Sequence, residues 1–167
     1  MNFYNLLAKQ IKKDKFLLFV FILLFTSIRL WILGSGIFMS HEDELYNGTI
    51  TREILKGLKI PLLDYHSEPY AGGTLITGVL AVPFFITFGS SYFSLKLVAF
   101  TFSLGTLIIY FILLNRYFDI KIASIASLLF IFPPPLYTEV SLITMGNHCE
   151  SIFFSLLTNL IFFEICR

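Results

Sequence analysis

The acidic run Glu42-Asp43-Glu44, preceded by His41, directly follows the first long apolar segment of this chain. A positioned carboxylate can take the proton of a hydroxyl group as a bond forms, which is general base chemistry. The same residues could instead begin a helix, because Ser40 and Asp43 have the spacing of a capping box and a helix dipole favours an ionised Asp43. On motif grounds alone, a site for acid–base chemistry and a simple helix cap both stay open.

A second polar stretch occurs much later in the chain, in the sequence Gly146-Asn147-His148-Cys149-Glu150. His148 and Glu150 could bind a divalent cation, with Asp43 as a further ligand, or contact a phosphate group, because imidazole and carboxylate are common ligand types. Glu150 could equally stabilise the first turn of a following helix through the helix dipole. The sequence leaves both interpretations open.

The residues around these two stretches are mostly apolar. Hydrophobic residues make up 56% of the 167 residues and charged residues 14%, whereas soluble domains have roughly 45–50% and about 25%. The formal net charge is +1, so no basic excess indicates a nucleic acid as partner. Composition therefore predicts an integral membrane protein whose main partner is the lipid bilayer.

Stretches without charged residues predict the spans, since a spanning helix needs about 20 mostly apolar residues. We predict spans at residues 16–38, 93–114, 122–137 and 149–165. Outer loops would cover 39–92 and 138–148, and cytoplasmic segments 1–15 and 115–121. The expected class is an all-α membrane protein with about four transmembrane helices, and with juxtamembrane helices in a long first outer loop.

Charge distribution orients this architecture. The positive-inside rule places the N-terminal lysines in the cytoplasm of a multi-pass plasma-membrane protein; these are Lys9, Lys12, Lys13 and Lys15. Arg29 lies near the outer end of the first span, where its side chain could reach the membrane surface. A cleaved signal peptide is excluded because the apolar part is too long and no small-residue cleavage site follows it.

The segment at residues 74–88 is apolar enough to be a further span. If it crossed the bilayer, Arg116 and Lys121 would lie outside, whereas a position along the outer surface leaves both in the cytoplasm. Pro83 within this segment also suits a broken interfacial or re-entrant piece. We therefore favour the surface position.

Two local patterns predict helix boundaries. An apolar stripe at a spacing of four suits a helix lying on the membrane; it consists of Tyr46, Ile50, Ile54 and Leu58. This helix is expected to stop at Gly57, with Pro61 beyond it. The third predicted span ends in Pro133-Pro134-Pro135, which marks a helix end or kink because proline has no backbone N–H.

Several short motifs carry a resemblance through their order. They are Asp43-Glu44-x-Tyr46, Gly57, Pro61, Tyr70-x-Gly72-Gly73, Phe88-Gly89, Leu95-Lys96-Leu97, Arg116-Tyr117-Phe118 and Gly146-x-His148-x-Glu150. From about Lys15 to its end, the chain resembles the N-terminal part of the C-type (family 39-like) membrane glycosyltransferases, which include protein O-mannosyltransferases and lipid A aminoarabinose transferases. In that superfamily the first outer loop carries juxtamembrane helices, in agreement with the topology derived from charges.

The resemblance implies transfer of a hexose or pentose from a polyprenyl-phosphate donor to a hydroxyl group of a lipid, glycan or protein on the outer face. Asp43 would be the general base, with Glu44 as its catalytic neighbour. A divalent cation, the one candidate cofactor, or basic side chains would balance the leaving phosphate. The implied substrate-binding residues are Tyr46, Arg52, Glu68, His148 and Glu150.

The chain departs from the pattern of the superfamily that it resembles in two respects. It lacks the Lys-Pro-Pro element of aminoarabinose transferases near Pro69, and it has Gly146-Asn147-His148 where others have a plain Asp. Members of the superfamily also continue for several more spans, so we expect this chain to be the N-terminal fragment of a longer enzyme. A fragment of a transporter, which would use charges within the membrane, and a small multi-span assembly protein are the alternatives.

Overall fold

The computed structural model describes residues 3–36, 40–57, 72–144 and 148–166, with side chains for all of them except residues 3–13, 43 and 72–74. This part of the chain forms seven α-helices and no strand. They are α1 (Phe3–Ser35), α2 (Glu42–Leu55), α3 (Gly72–Phe88), α4 (Tyr92–Tyr117), α5 (Ile120–Ile131), α6 (Pro135–Val140) and α7 (Cys149–Ile165). The predicted all-α class is confirmed.

Two of these helices are long and apolar enough to cross a membrane, α1 from Asp14 to Ser35 and α4 over its whole length. Only 22% of the spanning part of α1 is buried, its exposed side chains are mostly apolar, and Trp31 alone is 74% exposed. A core helix of a soluble protein would bury such side chains. The two helices therefore support a membrane protein, and they coincide with the first two predicted spans.

Polarity in the described bundle is distributed with apolar groups outside and many polar groups inside. Fully or nearly fully buried polar side chains include Arg29, Glu44, Asn47, Thr51, Thr77, Lys96, Ser103, Thr106, Ser127, Thr144 and Glu150. Large exposed apolar side chains occur on every helix of eight residues or more. In lipid, polar groups gain by facing one another and apolar side chains lose nothing by facing outward.

Helix α4 is central, because α1, α3, α5 and α7 all pack against it. Phe25 of α1 stacks between Phe100 of α4 and Phe130 of α5, with ring centroids 6.0 and 5.9 Å apart. Gly105 faces the Phe153 ring of α7, and a Cβ atom there would come within 2.6 Å of that ring. A small residue thus lets α4 and α7 approach closely, as in many membrane helix pairs.

Polar contacts at the C-terminal end of α4 join three helices. Arg116 forms an ion pair with Glu164 of α7 at 2.7 Å, and Tyr117 donates to the same carboxylate at 3.2 Å. Asn115 donates to Asp14 of α1 at 3.2 Å. We call these five residues the lower layer. Asn115 is about 30 Å along α4 from Lys96 near the other end, which is the thickness of a hydrocarbon core.

Helix α2 begins one residue later than the predicted capping box requires. The side chain that returns to the backbone ahead of the helix is that of Glu44, whose Oε2 accepts from the His41 N–H at 3.2 Å. The described capping contact thus joins His41 and Glu44, and the predicted pairing of Ser40 with Asp43 falls on a side chain outside the described atoms. The helix stops before Gly57, whose φ of +70° confirms the predicted stop.

Helix α3 continues through Pro83 without interruption, so the expected break in this segment is not present. The helix packs against α2 and α4. Gly78 makes the approach to α2 possible, because a Cβ atom on it would lie 2.7 Å from Ile50 Cγ2. Ile50, which was expected on a lipid-facing stripe, is thus half-buried between helices.

The third predicted span contains two helices. Helix α5 ends at Ile131, the chain is non-helical up to Pro134, and α6 begins at Pro135, which confirms the predicted end or kink at the prolines. With 12 residues, α5 is about 18 Å long and shorter than a hydrocarbon core. Helix α7 has 17 residues.

Candidate functional site

A buried ion pair between α2 and α4 organises the end of the bundle opposite the lower layer. The Lys96 ammonium donates to both oxygens of Glu44, at 3.2 Å to Oε1 and 3.0 Å to Oε2, and neither side chain is exposed. Removing each ion from solvent costs several kcal/mol, which only close pairing and further hydrogen bonds offset. The pair therefore depends on the polar groups around it.

The segment that connects α6 to α7 supplies these groups. Thr144 donates to Glu44 Oε1 from its backbone N–H at 3.3 Å and from its hydroxyl at 3.4 Å, and the Leu142 carbonyl accepts from Lys96 at 3.4 Å. Asn47 donates to the Thr144 carbonyl at 2.6 Å. We call Glu44, Asn47, Lys96 and Thr144 the upper cluster. It fixes the start of α2 against the second polar stretch.

Glu150 lies beside the upper cluster, at the first turn of α7, and is 5% exposed. Its Oε1 accepts from the Thr77 hydroxyl of α3 at 3.4 Å, and its Oε2 accepts from the Cys149 thiol at 3.2 Å. His148 occupies the position just before α7, is half-buried and makes no side-chain cap of the helix. The position of Glu150 in the first turn of α7 fits the helix-dipole interpretation. Its carboxylate is also an acceptor for the Thr77 hydroxyl of α3.

Asp43 is the second residue of α2, between the exposed Glu42 and the buried Glu44. Its side chain is outside the described atoms, as is the whole of Glu68. The buried contacts of Glu44 hold the start of α2 in place. The structure thus gives Asp43 a fixed backbone through its neighbour Glu44.

Tyr46 and Arg52 lie on the exposed side of α2. Tyr46 is 56% exposed. Arg52 donates from Nε to the Ser90 hydroxyl at 2.6 Å and lines an open cavity of about 150 Å³ at the start of α4. These two residues are near the upper end of the bundle, but neither contacts the upper cluster among the described interactions.

The described side chains contain no group of three or more His, Cys, Asp or Glu residues that could hold a metal ion. Both oxygens of Glu150 already accept hydrogen bonds, from Thr77 and Cys149. The predicted metal ligands His148 and Glu150 are thus close in the chain, but they form no metal-binding group with other described side chains. The side chain of Asp43, the third predicted ligand, is not among those described.

Arg29 is the largest departure from the sequence-based expectation. Its side chain is 1% exposed and lies over the Phe25 ring at 4.9 Å, so it does not reach the membrane surface. Nε has no hydrogen-bond partner in the described part of the chain. A cation–π contact contributes up to about 2 kcal/mol, less than the several kcal/mol lost on burying a cation. Arg29 is therefore under-compensated by the side chains around it.

A cavity of about 130 Å³ adjoins this guanidinium. We call it the Arg29 cavity; its lining is mostly apolar and includes Ser103, Thr106, Phe130, Tyr137 and Cys149. The buried Thr106 hydroxyl also lacks a hydrogen-bond partner among the described residues. The cavity thus combines a cation and a free hydroxyl within apolar walls.

Sequence reasoning assigned no role to Lys96 and treated Arg29 first as an interfacial anchor and second as a candidate for phosphate contact, beside Arg52, Lys56 and Lys59. The sequence did contain a signal for Lys96 and Arg29, because each lies within a predicted span. A charged side chain in a span is costly and is usually functional or paired. No signal identified Thr144 or Asn47, since their role depends on contacts across the chain. Spacing within one element cannot reveal such contacts.

No known protein family, curated protein or solved structure matches this chain.

Proposed function

We propose that this protein is, or forms part of, a membrane glycosyltransferase that moves a sugar from a polyprenyl-phosphate donor to a hydroxyl acceptor on the outer face. The observation that carries the proposal is the upper cluster. It joins the first turn of α2, which contains Asp43, to the segment that precedes His148 and Glu150. Two polar stretches from distant parts of the chain thus share one end of an apolar bundle.

The path of the chain between the two polar ends supports four membrane passes. Helix α4 runs from Lys96 to the lower layer, the chain returns so that Thr144 contacts Glu44, and α7 runs from Glu150 to Glu164 beside Arg116. Helix α1 provides the remaining pass. The N-terminal lysines favour a cytoplasmic lower layer and an outer upper cluster.

In the proposed reaction, the Asp43 carboxylate takes the proton of the acceptor hydroxyl while its oxygen bonds to the anomeric carbon of the sugar. The bond from that carbon to the phosphate oxygen breaks, and its electron pair leaves with the polyprenyl phosphate. Arg52, exposed at the same end, is the basic side chain proposed to meet the phosphate charge. No step assigned to these side chains needs a metal ion.

Glu44 is better suited to positioning than to proton transfer. Its carboxylate is enclosed by Lys96, Thr144 and His41, which leaves no exposed oxygen for a substrate. A buried, paired carboxylate holds the helix start in one place, and accurate placement of a neighbouring base is worth a large part of a reaction barrier. We therefore propose Asp43 as the catalytic base and Glu44 as a positioning residue.

The test uses the full chain in proteoliposomes with polyprenyl-phosphate sugars and a panel of hydroxyl acceptors. Asp43→Asn keeps the size of the side chain and removes the base, so we expect sugar transfer to fall by about 10²- to 10⁴-fold. Glu42→Gln is the matched control, because Glu42 is the adjacent carboxylate and is exposed. Transfer that is unchanged in Asp43→Asn, or that falls equally in Glu42→Gln, would contradict the assignment.

A transport function is the second candidate, and the buried cation Arg29 is the observation that favours it. A transporter would move an anionic solute across vesicles in an Arg29-dependent manner and would tolerate Asp43→Asn. The transferase shows the opposite dependence on Asp43. Measurement of solute uptake and sugar transfer in the same vesicles separates the two functions.

A further inference from the structure

An apolar groove continues from the Arg29 cavity. The groove has a volume of about 350 Å³ and shares Thr106, Phe130 and Tyr137 with the cavity. Pro133 and Ile152 also line both, and the remaining groove residues are mainly apolar and include Tyr110, Leu129, Pro134 and Leu156. Cavity and groove together form one site with a cation at one end and an apolar wall along the rest.

The polar end of this site has unused hydrogen-bonding capacity. Among the described residues, neither Arg29 Nε nor the Thr106 hydroxyl has a partner, although both atoms are buried. The Phe25 ring, whose centroid is 4.9 Å from the guanidinium carbon, offers a ring face and no anionic oxygen. A guanidinium in such surroundings matches an oxyanion, and its fork of N–H groups fits phosphate geometry.

The apolar end opens toward the lipid. Leu129 is 68% exposed, and Tyr137 and Ile152 are also exposed while they line the groove. A free phosphate ion would use only the cavity and would leave the groove empty. A lipid that carries phosphate satisfies both ends, because its hydrocarbon chain can enter the groove from the bilayer.

We infer that the Arg29 cavity and the adjoining groove bind a membrane lipid with a phosphate head group. The phosphate contacts Arg29 and Thr106, and the first part of a hydrocarbon chain lies along α5 and α7. This assignment does not depend on the proposed transferase reaction, because it concerns binding in the absence of turnover. Lipids of this chemical class include diacylglycerol phosphate as well as polyprenyl phosphate.

The test is native mass spectrometry of the full chain released from detergent with one added compound at a time. The compounds are diacylglycerol phosphate, polyprenyl phosphate, diacylglycerol with the same acyl chains, and inorganic phosphate. We expect the wild-type protein to retain at least one phosphate lipid, and to retain neither diacylglycerol nor free phosphate. Arg29→Met should weaken retention by about tenfold or more, since hydrogen bonds to charged groups are lost.

Arg116→Met is the matched control, because it removes a cation from the lower layer, where Glu164 accepts its ion pair. It should leave retention of the lipid unchanged. Arg29→Lys keeps the charge without the planar fork and should give intermediate retention. Equal retention by the wild type and Arg29→Met would overturn the assignment, as would equal retention of diacylglycerol or of free phosphate.

A purely structural role for Arg29 gives a different stability result. In lipid-free detergent, Arg29→Met removes an under-compensated charge, so we expect its unfolding temperature to be equal to or above that of the wild type. Added phosphate lipid should raise the unfolding temperature of the wild type and not that of Arg29→Met. A lower unfolding temperature of Arg29→Met without lipid would overturn the inference and assign the side chain to packing on Phe25. Sugar transfer is not measured here, so failure of this binding leaves the Asp43 experiment unaffected.

Discussion

At Glu44 and Lys96, two full charges lie in the interior of an apolar bundle, and their role is orientation rather than net stability. Replacement of a buried ion pair by matched neutral groups is often neutral, whereas removal of one partner leaves a charge that the interior does not stabilise. The pair also holds Thr144 and the start of α2 together. Its contribution is therefore the fixed position of the residue beside it, Asp43.

The first prediction at this scale concerns single and paired replacement. Lys96→Met should lower the free energy of unfolding by about 3–5 kcal/mol, because Glu44 is then buried without its cation. The double variant Glu44→Gln with Lys96→Met should recover most of this loss, since no charge stays buried and the single Gln oxygen can still accept from one of the two backbone N–H groups, Thr144 or His41, that Glu44 accepts from. Chemical denaturation in detergent measures both effects.

Arg116→Met provides the control for this prediction. Its ion pair with Glu164 is 43% and 34% exposed at the two side chains, and such pairs contribute about 0–1 kcal/mol. A Lys96→Met variant that is no less stable than Arg116→Met would contradict the view that Lys96 compensates the buried charge of Glu44.

The residue types of the site could be predicted from the sequence, but not which carboxylate is buried in an ion pair. The acidic run pointed to Asp43 and Glu44 together. Only the contact with Lys96, 52 residues away, distinguishes the buried Glu44 from its neighbour Asp43. Arg29 shows the same limit, because a position near the end of a span is compatible with both snorkelling and burial.

At the scale of elements, α2 buries several polar side chains and exposes several apolar ones. Glu44, Asn47 and Thr51 are buried, whereas Leu45 and Tyr46 are exposed. Thr51 donates to the Gly78 carbonyl of α3 at 2.9 Å, which joins the two helices at their closest approach. The helix was predicted from its apolar stripe, but its protein-facing side is defined by polar contacts that a hydrophobic pattern does not reveal.

The second prediction tests this close approach. Gly78→Ala would place a Cβ atom 2.7 Å from Ile50 Cγ2 and 2.9 Å from Ile50 Cβ, so α2 and α3 must separate. We expect a loss of about 1–3 kcal/mol in the free energy of unfolding, as for other overpacked interiors. Sugar transfer should fall as well, because the start of α2 moves with the helix.

Gly34→Ala is the control, since Gly34 is also helical and a Cβ atom there meets nothing within 4 Å. The better helix propensity of alanine should leave that variant equal to the wild type or more stable by up to about 1 kcal/mol. If Gly78→Ala and Gly34→Ala had the same free energy of unfolding, the claim that α2 and α3 pack too closely at Gly78 for a Cβ atom would be wrong.

For the whole molecule, the two polar ends define the arrangement better than helix lengths do. The lower layer joins α1, α4 and α7, and the upper cluster joins α2, α4 and the segment before α7. Composition was sufficient to predict the helical class and the two long helices. It could not predict that the third predicted span is two helices, or that residues around Pro83 remain helical, because both depend on packing against neighbours.

The third prediction concerns orientation. In a Cys149→Ala background, Ser90→Cys with Cys166→Ser should react in intact cells with a membrane-impermeant maleimide, because Ser90 is exposed at the upper end of the bundle. The exposed Cys166, beyond the lower layer, should react at least about tenfold more after permeabilisation than before it, since the positive-inside rule predicts a cytoplasmic position for the N-terminal lysines and for that layer. Equal labelling of both positions in intact cells would contradict the four-pass arrangement.

The proline run after α5 has a further consequence for the surrounding bilayer. Pro133, Pro134 and Pro135 have no N–H to offer, so the carbonyl oxygens one turn earlier, at Leu129, Phe130 and Ile131, receive no helical donor. A bare acceptor in hydrocarbon costs several kcal/mol, and water is the most accessible donor beside an exposed residue such as Leu129. The leaflet next to the end of α5 should therefore be dimpled and hydrated, even where the protein surface is formed by leucine and phenylalanine.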